Sequence, residues 1–260
     1  MKKILLLAAL ALGALAVSAQ SVGGGRSSGG NSFFSTEKAD KGVTIGIRGG
    51  LNVAGLSHEF IKGYGEDYSF KNAIGFNAGI NIDIPVVKSF YVQTGAYFTS
   101  KNAKIEETWY DKGYGVSDYK LNPMYIEIPL LASYRYNFNN KAQLQVNLGP
   151  YFAYGVAGKS KYEDRKDRKA NLFSKTNANL EKYVDANEKL LKPFDTGISV
   201  GLGFTYSHFF VGVKYEKGLT NICNPKGWYH NSGIAFKAVD IEGLKSIKTH
   251  NFSVNVGYDF

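Results

Sequence analysis

The sequence predicts an all-β fold: an eight-stranded antiparallel up-and-down transmembrane β-barrel with long extracellular loops. Three observations predict it. Segments of strict apolar–polar alternation recur along the chain, and most exceed the ~9–11 residues a tilted strand needs to cross a bilayer. The connections between them alternate short and long without exception, as short periplasmic turns and long outer loops do. Aromatic residues gather toward both ends of the segments, where two membrane–water boundaries would lie.

The first 42 residues stand apart. Lys2 and Lys3, the apolar stretch 4–17 and the small-residue site Val17-Ser18-Ala19 read as a signal peptide over 1–19, with the mature chain starting at Gln20. The alternative reading is an uncleaved anchor. Residues 20–42, rich in glycine and serine, read as a flexible periplasmic leader, because such a segment buries too little apolar surface to fold. The formal charge is +9, and loss of Lys2 and Lys3 leaves about +7. Cys223 is the only cysteine, which excludes an internal disulfide. After Val17 no run approaches the ~20 apolar residues of a membrane helix, so a chain that enters the bilayer must do so as a closed sheet. The barrel domain is 43–260.

The strands follow in order. Residues 43–53 form the first. In 73–84, Ile74, Phe76, Ala78, Ile80, Ile82 and Ile84 share one face against Gly75, Asn77, Gly79, Asn81 and Asp83. The third is 89–100. In 124–138, Ile126, Ile128, Leu130, Tyr134, Tyr136 and Phe138 oppose Glu127, Ser133, Arg135 and Asn137. In 141–156, Leu144, Val146, Leu148, Phe152 and Tyr154 oppose Gln143, Gln145, Asn147, Gly149, Tyr151 and Gly155. Residues 194–206 alternate in the same way, and 208–216 more weakly. The last, 249–260, puts Phe252, Val254, Val256, Tyr258 and Phe260 on one face, with period two to the final residue. Strands of a soluble sandwich are usually about five or six residues long.

The short connections are 85–88, 139–140 and Ser207; the long ones are 54–72, 101–123, 157–193 and 217–248. Leu180, Tyr183, Val184, Leu190 and Leu191 are spaced as in an amphipathic helix, so a short helix is expected over 178–191, lying across the barrel mouth. Phe90, Tyr136, Phe138, Tyr206, Phe209, Tyr258 and Phe260 would form the inner aromatic belt. Phe76, Phe98, Tyr125, Phe152, Phe194 and Tyr215 would form the outer one.

The interior of an eight-stranded barrel is about wide enough for its own side chains. Arg48, Glu127, Arg135, Asp195, Lys214 and Glu216 are expected to point inward. Charges there are costly unless paired, so they read as a polar network plugging the lumen. Inward glycines, among them Gly49, Gly75, Gly79 and Gly203, leave a thin water path open as the second reading.

Catalytic and metal chemistry finds little support. The only histidines are His58, His208, His230 and His250, with no zinc spacing. His58 has Ser57 and Glu59 beside it and His230 has Ser232 near it, but adjacent strand residues face opposite ways. A barrel hydrolase would need such residues at the outer rim. Gly23-Gly24-Gly25 precedes no strand–helix unit and is no phosphate loop. The basic run 159–169 is interleaved with Glu163, Asp164 and Asp167, which favours a solvated loop or anionic lipid heads over nucleic acid. No cofactor and no metal are expected.

Tyr125-Ile126-Glu127-Ile128-Pro129-Leu130-Leu131 with Tyr134-Arg135-Tyr136 resembles the fourth strand of PorT-like "porin family" barrels of Bacteroidota. Leu148-Gly149-Pro150-Tyr151, Asp195-Thr196-Gly197 with Gly201-Leu202-Gly203, and Lys214-Tyr215-Glu216-Lys217-Gly218-Leu219-Thr220-Asn221-Ile222 resemble strands that follow. The resemblance covers nearly all of 43–260. It implies an eight-stranded barrel of OmpX or OmpA type in the cell outer membrane. It also implies that Val256, Tyr258 and Phe260 belong to a terminal signal read by the outer-membrane insertion machinery. It implies little about activity.

The reading is therefore an outer-membrane structural or surface-interaction protein that is not an enzyme. Its expected partners are outer-membrane lipid, the insertion machinery and an unknown surface ligand. It is expected to be a monomer. A narrow porin for small solutes or ions is the alternative, and a lipid-modifying barrel enzyme a third class.

Overall fold

A strand that alternates apolar and polar residues must bury one face differently from the other, and its backbone needs a partner on each side. A computed structural model describes residues 42–62, 68–107, 117–138, 141–162, 169–174, 189–224 and 244–260. Its strands are β1 (Thr44–Phe60), β2 (Tyr68–Val87), β3 (Phe90–Ser100), β4 (Ala103–Glu107), β5 (Ser117–Asn137), β6 (Ala142–Tyr162), β7 (Lys169–Asn171), β8 (Phe194–Tyr206), β9 (Phe209–Gly218) and β10 (Leu244–Asp259).

These ten elements make eight staves. β4 continues β3 after a break at Lys101 and Asn102, since both pair with β2 on one side and β5 on the other. β7 is a loop strand that, among the described residues, pairs only with the outer end of β6. Every neighbouring pair is antiparallel, and β1 closes the ring on β10 from Gly46↔Asp259 to Phe60↔Leu244. Among the described staves no sheet edge is left open, as a bilayer would require, since unpaired backbone there is prohibitive.

The eight-strand, all-β expectation agrees with this ring. The staves are longer than alternation alone implies: β1 runs to Phe60, β5 begins at Ser117, β6 runs to Tyr162 and β10 begins at Leu244. Much of the expected outer loops is therefore paired ribbon rising above the bilayer. There the outward positions become polar, so the hydropathy signal fades while the pairing continues. The turn between β8 and β9 is tight, with Ser207 at φ 57°. The turn at 139–140 lies outside the described residues. So does most of the expected helix at 178–191; its described end is not helical, with a bend at Leu190 and an antiparallel bridge from Leu191 to Cys223.

The outward band is apolar and would be costly in water: Ile74 is 72% exposed, Leu51 67% and Val256 61%. It runs from Ile45 to Val53 on β1 and from Phe252 to Phe260 on β10. Exposed Phe138, Tyr206, Phe209 and Phe260 lie at its margin nearest the short turns, where Tyr258 meets both Phe209 and Phe260 edge-on. Two residues depart from expectation. Tyr125 belongs to no outer belt; it points inward and is fully buried, on the same side of β5 as Glu127. Gly49 shares the outward register of Ile47 and Leu51, because Arg48 takes the inward one. Among the described residues no helix is long and apolar enough to cross a membrane, which says nothing about strands.

Candidate functional site: the filled lumen and its cap

Inward positions on neighbouring staves converge at mid-barrel. Lys214 on β9 pairs with Glu216 at 2.5 Å and with Glu127 on β5 at 3.1 Å. Lys101, at the β3–β4 break, approaches Glu127 at 3.1 Å, Asp195 at 3.4 Å and Glu216 at 4.0 Å. Tyr151 completes the upper side. Its hydroxyl donates to Asp195 at 3.1 Å, its ring lies 4.1 Å from the Lys101 ammonium, and Thr249 donates to the same carboxylate at 2.8 Å. Asn251 donates to Glu216 at 2.9 Å and accepts from Asn52 at 2.8 Å. Three carboxylates thus surround two ammonium groups, and Lys101, Glu127, Asp195 and Glu216 are each at most 1% exposed.

Arg48 and Arg135 do not join this cluster. Arg48 pairs with Asp259 at 2.6 Å and stacks on Phe210. Arg135 pairs with Asp83 at 2.6 Å and stacks on Tyr91, and Gln93 donates to Asp83 as well. Both arginines sit nearer the short-turn end, Arg48 opposite Gly257 near the start of β1 and Arg135 opposite Gln145 near the end of β5. Of the six inward residues named from sequence, four meet in one cluster and two form separate pairs.

Lys101 was not among the six, because hydropathy assigns it to a loop. The available signal is parity: Tyr91, Gln93, Tyr97, Thr99 and Lys101 continue one inward row. Between the cluster and the arginine pairs lies a cavity of about 50 Å³ bounded by Asn81, Gln93, Tyr97, Lys214 and Phe210, room for a few waters.

Above the charges the mouth is closed by an apolar cap. Leu56, Ile105, Leu121 and Ile247 from the staves pack against Leu172, Leu190, Leu191, Ile222 and Cys223 from the folded-back loop bases. Phe173 lies edge-on to Tyr125 with ring centroids 5.5 Å apart, and it occupies the space a side chain at Gly155 would fill. Backbone bonds tie the bases together: Leu191 N–H to Leu172 O, Lys192 N–H to Ile222 O and Ile222 N–H to Ile247 O. Burial pushes the Cys223 thiol up to about 11, against the opposing pull of Lys192.

The candidate catalytic neighbours do not assemble. His58 stacks on Phe70, centroids 4.0 Å apart. Ser57 instead approaches His250, Oγ to Nδ1 3.4 Å. His230 and Ser232 lie outside the described residues.

A closed antiparallel ring with a lipid-facing apolar band and a packed polar interior is an outer-membrane β-barrel. The chain belongs to the outer membrane protein beta-barrel domain family, whose description matches residues 20–224, and its place is the cell outer membrane. No curated protein matches the sequence. Among solved structures it is similar to Ail, the attachment invasion locus protein of Yersinia pestis, solved in complex with the heparin analogue sucrose octasulfate. That match has 13% identity over 85% of this chain and 100% of that one, at a TM-score of 0.37. The outer membrane protein OprG from Pseudomonas aeruginosa matches at 15% identity, over 86% and 99%, at a TM-score of 0.42. The outer membrane protease OmpT from Escherichia coli matches at 12% identity, over 88% and 100%, at 0.41.

Proposed function

We propose that the protein is a non-conducting outer-membrane anchor whose outer surface does the recognising. One observation carries this reading: the charges at mid-barrel are almost wholly buried beneath an apolar cap. Ions crossing such an interior would have to break buried ion pairs, each break costing ~3–5 kcal/mol, and then pass an oily seal. A lumen built for transport gains nothing from such a seal, whereas a scaffold gains rigidity from both.

Planar-bilayer recording tests the reading. The purified, refolded barrel should give a flat baseline; reproducible stepwise channel events would replace the anchor with a small-solute porin. The surface ligand is to be sought among the outer segments, and deletion within 175–188 should abolish its binding while leaving the barrel folded.

The remaining parts follow the sequence reading. Residues 1–19 direct export, 20–42 form the leader, and Val256, Tyr258 and Phe260 are read by the insertion machinery. One copy suffices, and the chain groups with PorT-like barrels of Bacteroidota. No catalytic step is assigned: the Ser57–His250 contact is long, and the far ring nitrogen of His250 meets the Asn72 amide oxygen rather than a carboxylate.

A further inference from the structure

Outward-facing side chains just above the apolar band form a polar row across four adjacent staves. The Lys217 ammonium on β9 donates to Ser57 Oγ on β1 at 2.7 Å. Ser57 Oγ lies 3.4 Å from His250 Nδ1 on β10, and His250 Nε2 lies 3.0 Å from Asn72 Oδ1 on β2. His250 is paired with Gly55 on one side and Lys217 on the other. The Asn72 and His250 side chains meet over Gly55, and a Cβ there would overlap both. Lys248, paired with Ser57, lies on the same outward face.

The charge of this row is one-sided. Two other lysines of the outer ribbon have acids: Lys71 pairs with Glu106, and Lys245 with Glu59. Among the described residues no carboxylate lies within 4.0 Å of Lys217 or Lys248, and the other members of the row are neutral hydrogen-bonding groups. The depth is also particular. Phe252, paired with Val53 and Tyr215, marks the last apolar outward rank. His250 is two residues further out, about 7 Å at the rise of a strand. That is the step from acyl chains to lipid headgroups.

We propose that this row binds the phosphate-bearing headgroup of an outer-leaflet lipid. Lys217 and Lys248 supply the charge. Ser57 and the Asn72 amide supply hydrogen bonds, and the acyl chains lie over Phe252, Val53 and Leu51. A cation held at the edge of hydrocarbon is costly without a counter-charge, and among the described residues no acid stands beside these two. A phosphate oxygen meets the ammonium groups with charge-assisted hydrogen bonds. The row faces outward from the barrel wall rather than into the lumen, which selects a lipid over a soluble anion.

The test uses the full barrel in phosphatidylcholine nanodiscs doped with either phosphatidic acid or diacylglycerol, two lipids that differ by the phosphate. Lipid retained by the protein is counted by native mass spectrometry. Wild type should retain phosphatidic acid in preference to diacylglycerol. K217Q and K248Q should each lower that preference about fivefold, the equivalent of ~1 kcal/mol for one basic residue near an anionic surface. K217R should keep it, and K245Q, farther out and already paired, should leave it unchanged. Heat-dependent gel migration confirms folding; if K217Q does not fold, K248Q carries the test. Equal retention of the two lipids overturns the proposal, as does an undiminished preference in a folded K217Q or K248Q. Displacement of phosphatidic acid by millimolar inorganic phosphate would make this a site for free anions and overturn its assignment to lipid.

Discussion

Lys101 and Glu127 form an ion pair of 3.1 Å in which neither side chain is more than 1% exposed. The lysine sits where β3 breaks into β4, its own backbone N–H held by Pro123 O at 3.0 Å. The break therefore delivers a cation to the centre of the lumen rather than marking a defect in the sheet.

The charge count at mid-barrel makes its substitutions unequal. Removing Lys101 leaves three buried carboxylates with one ammonium, whereas E216Q leaves two of each. K101M should cost ~3–5 kcal/mol, the range for breaking a buried pair. E216Q should stay within ~1 kcal/mol of wild type, the size of a single hydrogen-bond change. Urea denaturation in detergent followed by tryptophan fluorescence measures both, and equal costs would count against the lysine as hub.

Cys223 reports on the cap. It is fully buried, and its thiol is raised to about 11, so little thiolate exists at neutral pH. A maleimide should label the folded protein at least tenfold more slowly than the urea-unfolded chain. Fast labelling of the folded form would mean that the cap opens readily. L191A, which removes a fully buried side chain beside the thiol, should accelerate labelling.

His250 gives the outer rim a pH dependence. Burial, and then the neighbouring Lys217, lower its pKa below the ordinary value, while Ser57 and Asn72 face it as neutral partners. The folded pKa lies below the unfolded one. The contribution to stability is therefore present above ~6.5, the unperturbed value, and is lost as pH falls through the folded pKa. Amide exchange at the outer ends of β1 and β10, corrected for intrinsic rate, should rise between pH 7.5 and pH 5. In H250Q the rise should be smaller.

Ser207 holds a left-handed backbone at φ 57° in the turn between β8 and β9, a conformation that costs a non-glycine residue about 1–2 kcal/mol. S207G removes that cost but adds unfolded-state entropy, so a net gain of about 0.5 kcal/mol is expected. Loss of stability in the same urea assay would show that the Ser207 side chain does more than occupy the turn.

The fold was legible because the bilayer imposes one rule on every stave. Ile74 through Ile84 and Phe252 through Phe260 alternate without interruption since each outward position meets the same solvent. That rule stops at the membrane surface, so the outer ribbons of β5 and β6 looked like loops. It is also silent on which inward side chains meet. Parity places Glu127, Asp195, Lys214 and Glu216 inside, but their convergence depends on the stagger between staves. Arg48 and Arg135 share that parity and lie elsewhere because Asp259 and Asp83 are nearer. Lys101 was hidden by a break in hydropathy that is no break in direction. Tyr125 shows the opposite error, when aromatic character is allowed to outweigh alternation.

The bridge between Leu191 and Cys223 knots together the footings of two connections that lie far apart in the chain. Sequence drift within 175–188 or 225–243 therefore starts and finishes at fixed posts. The posts also hold each other, with Asn224 donating to Lys189 O at 2.6 Å and Ile222 N–H to Ile247 O at 2.9 Å, so a substitution that loosens one loop base loosens the other.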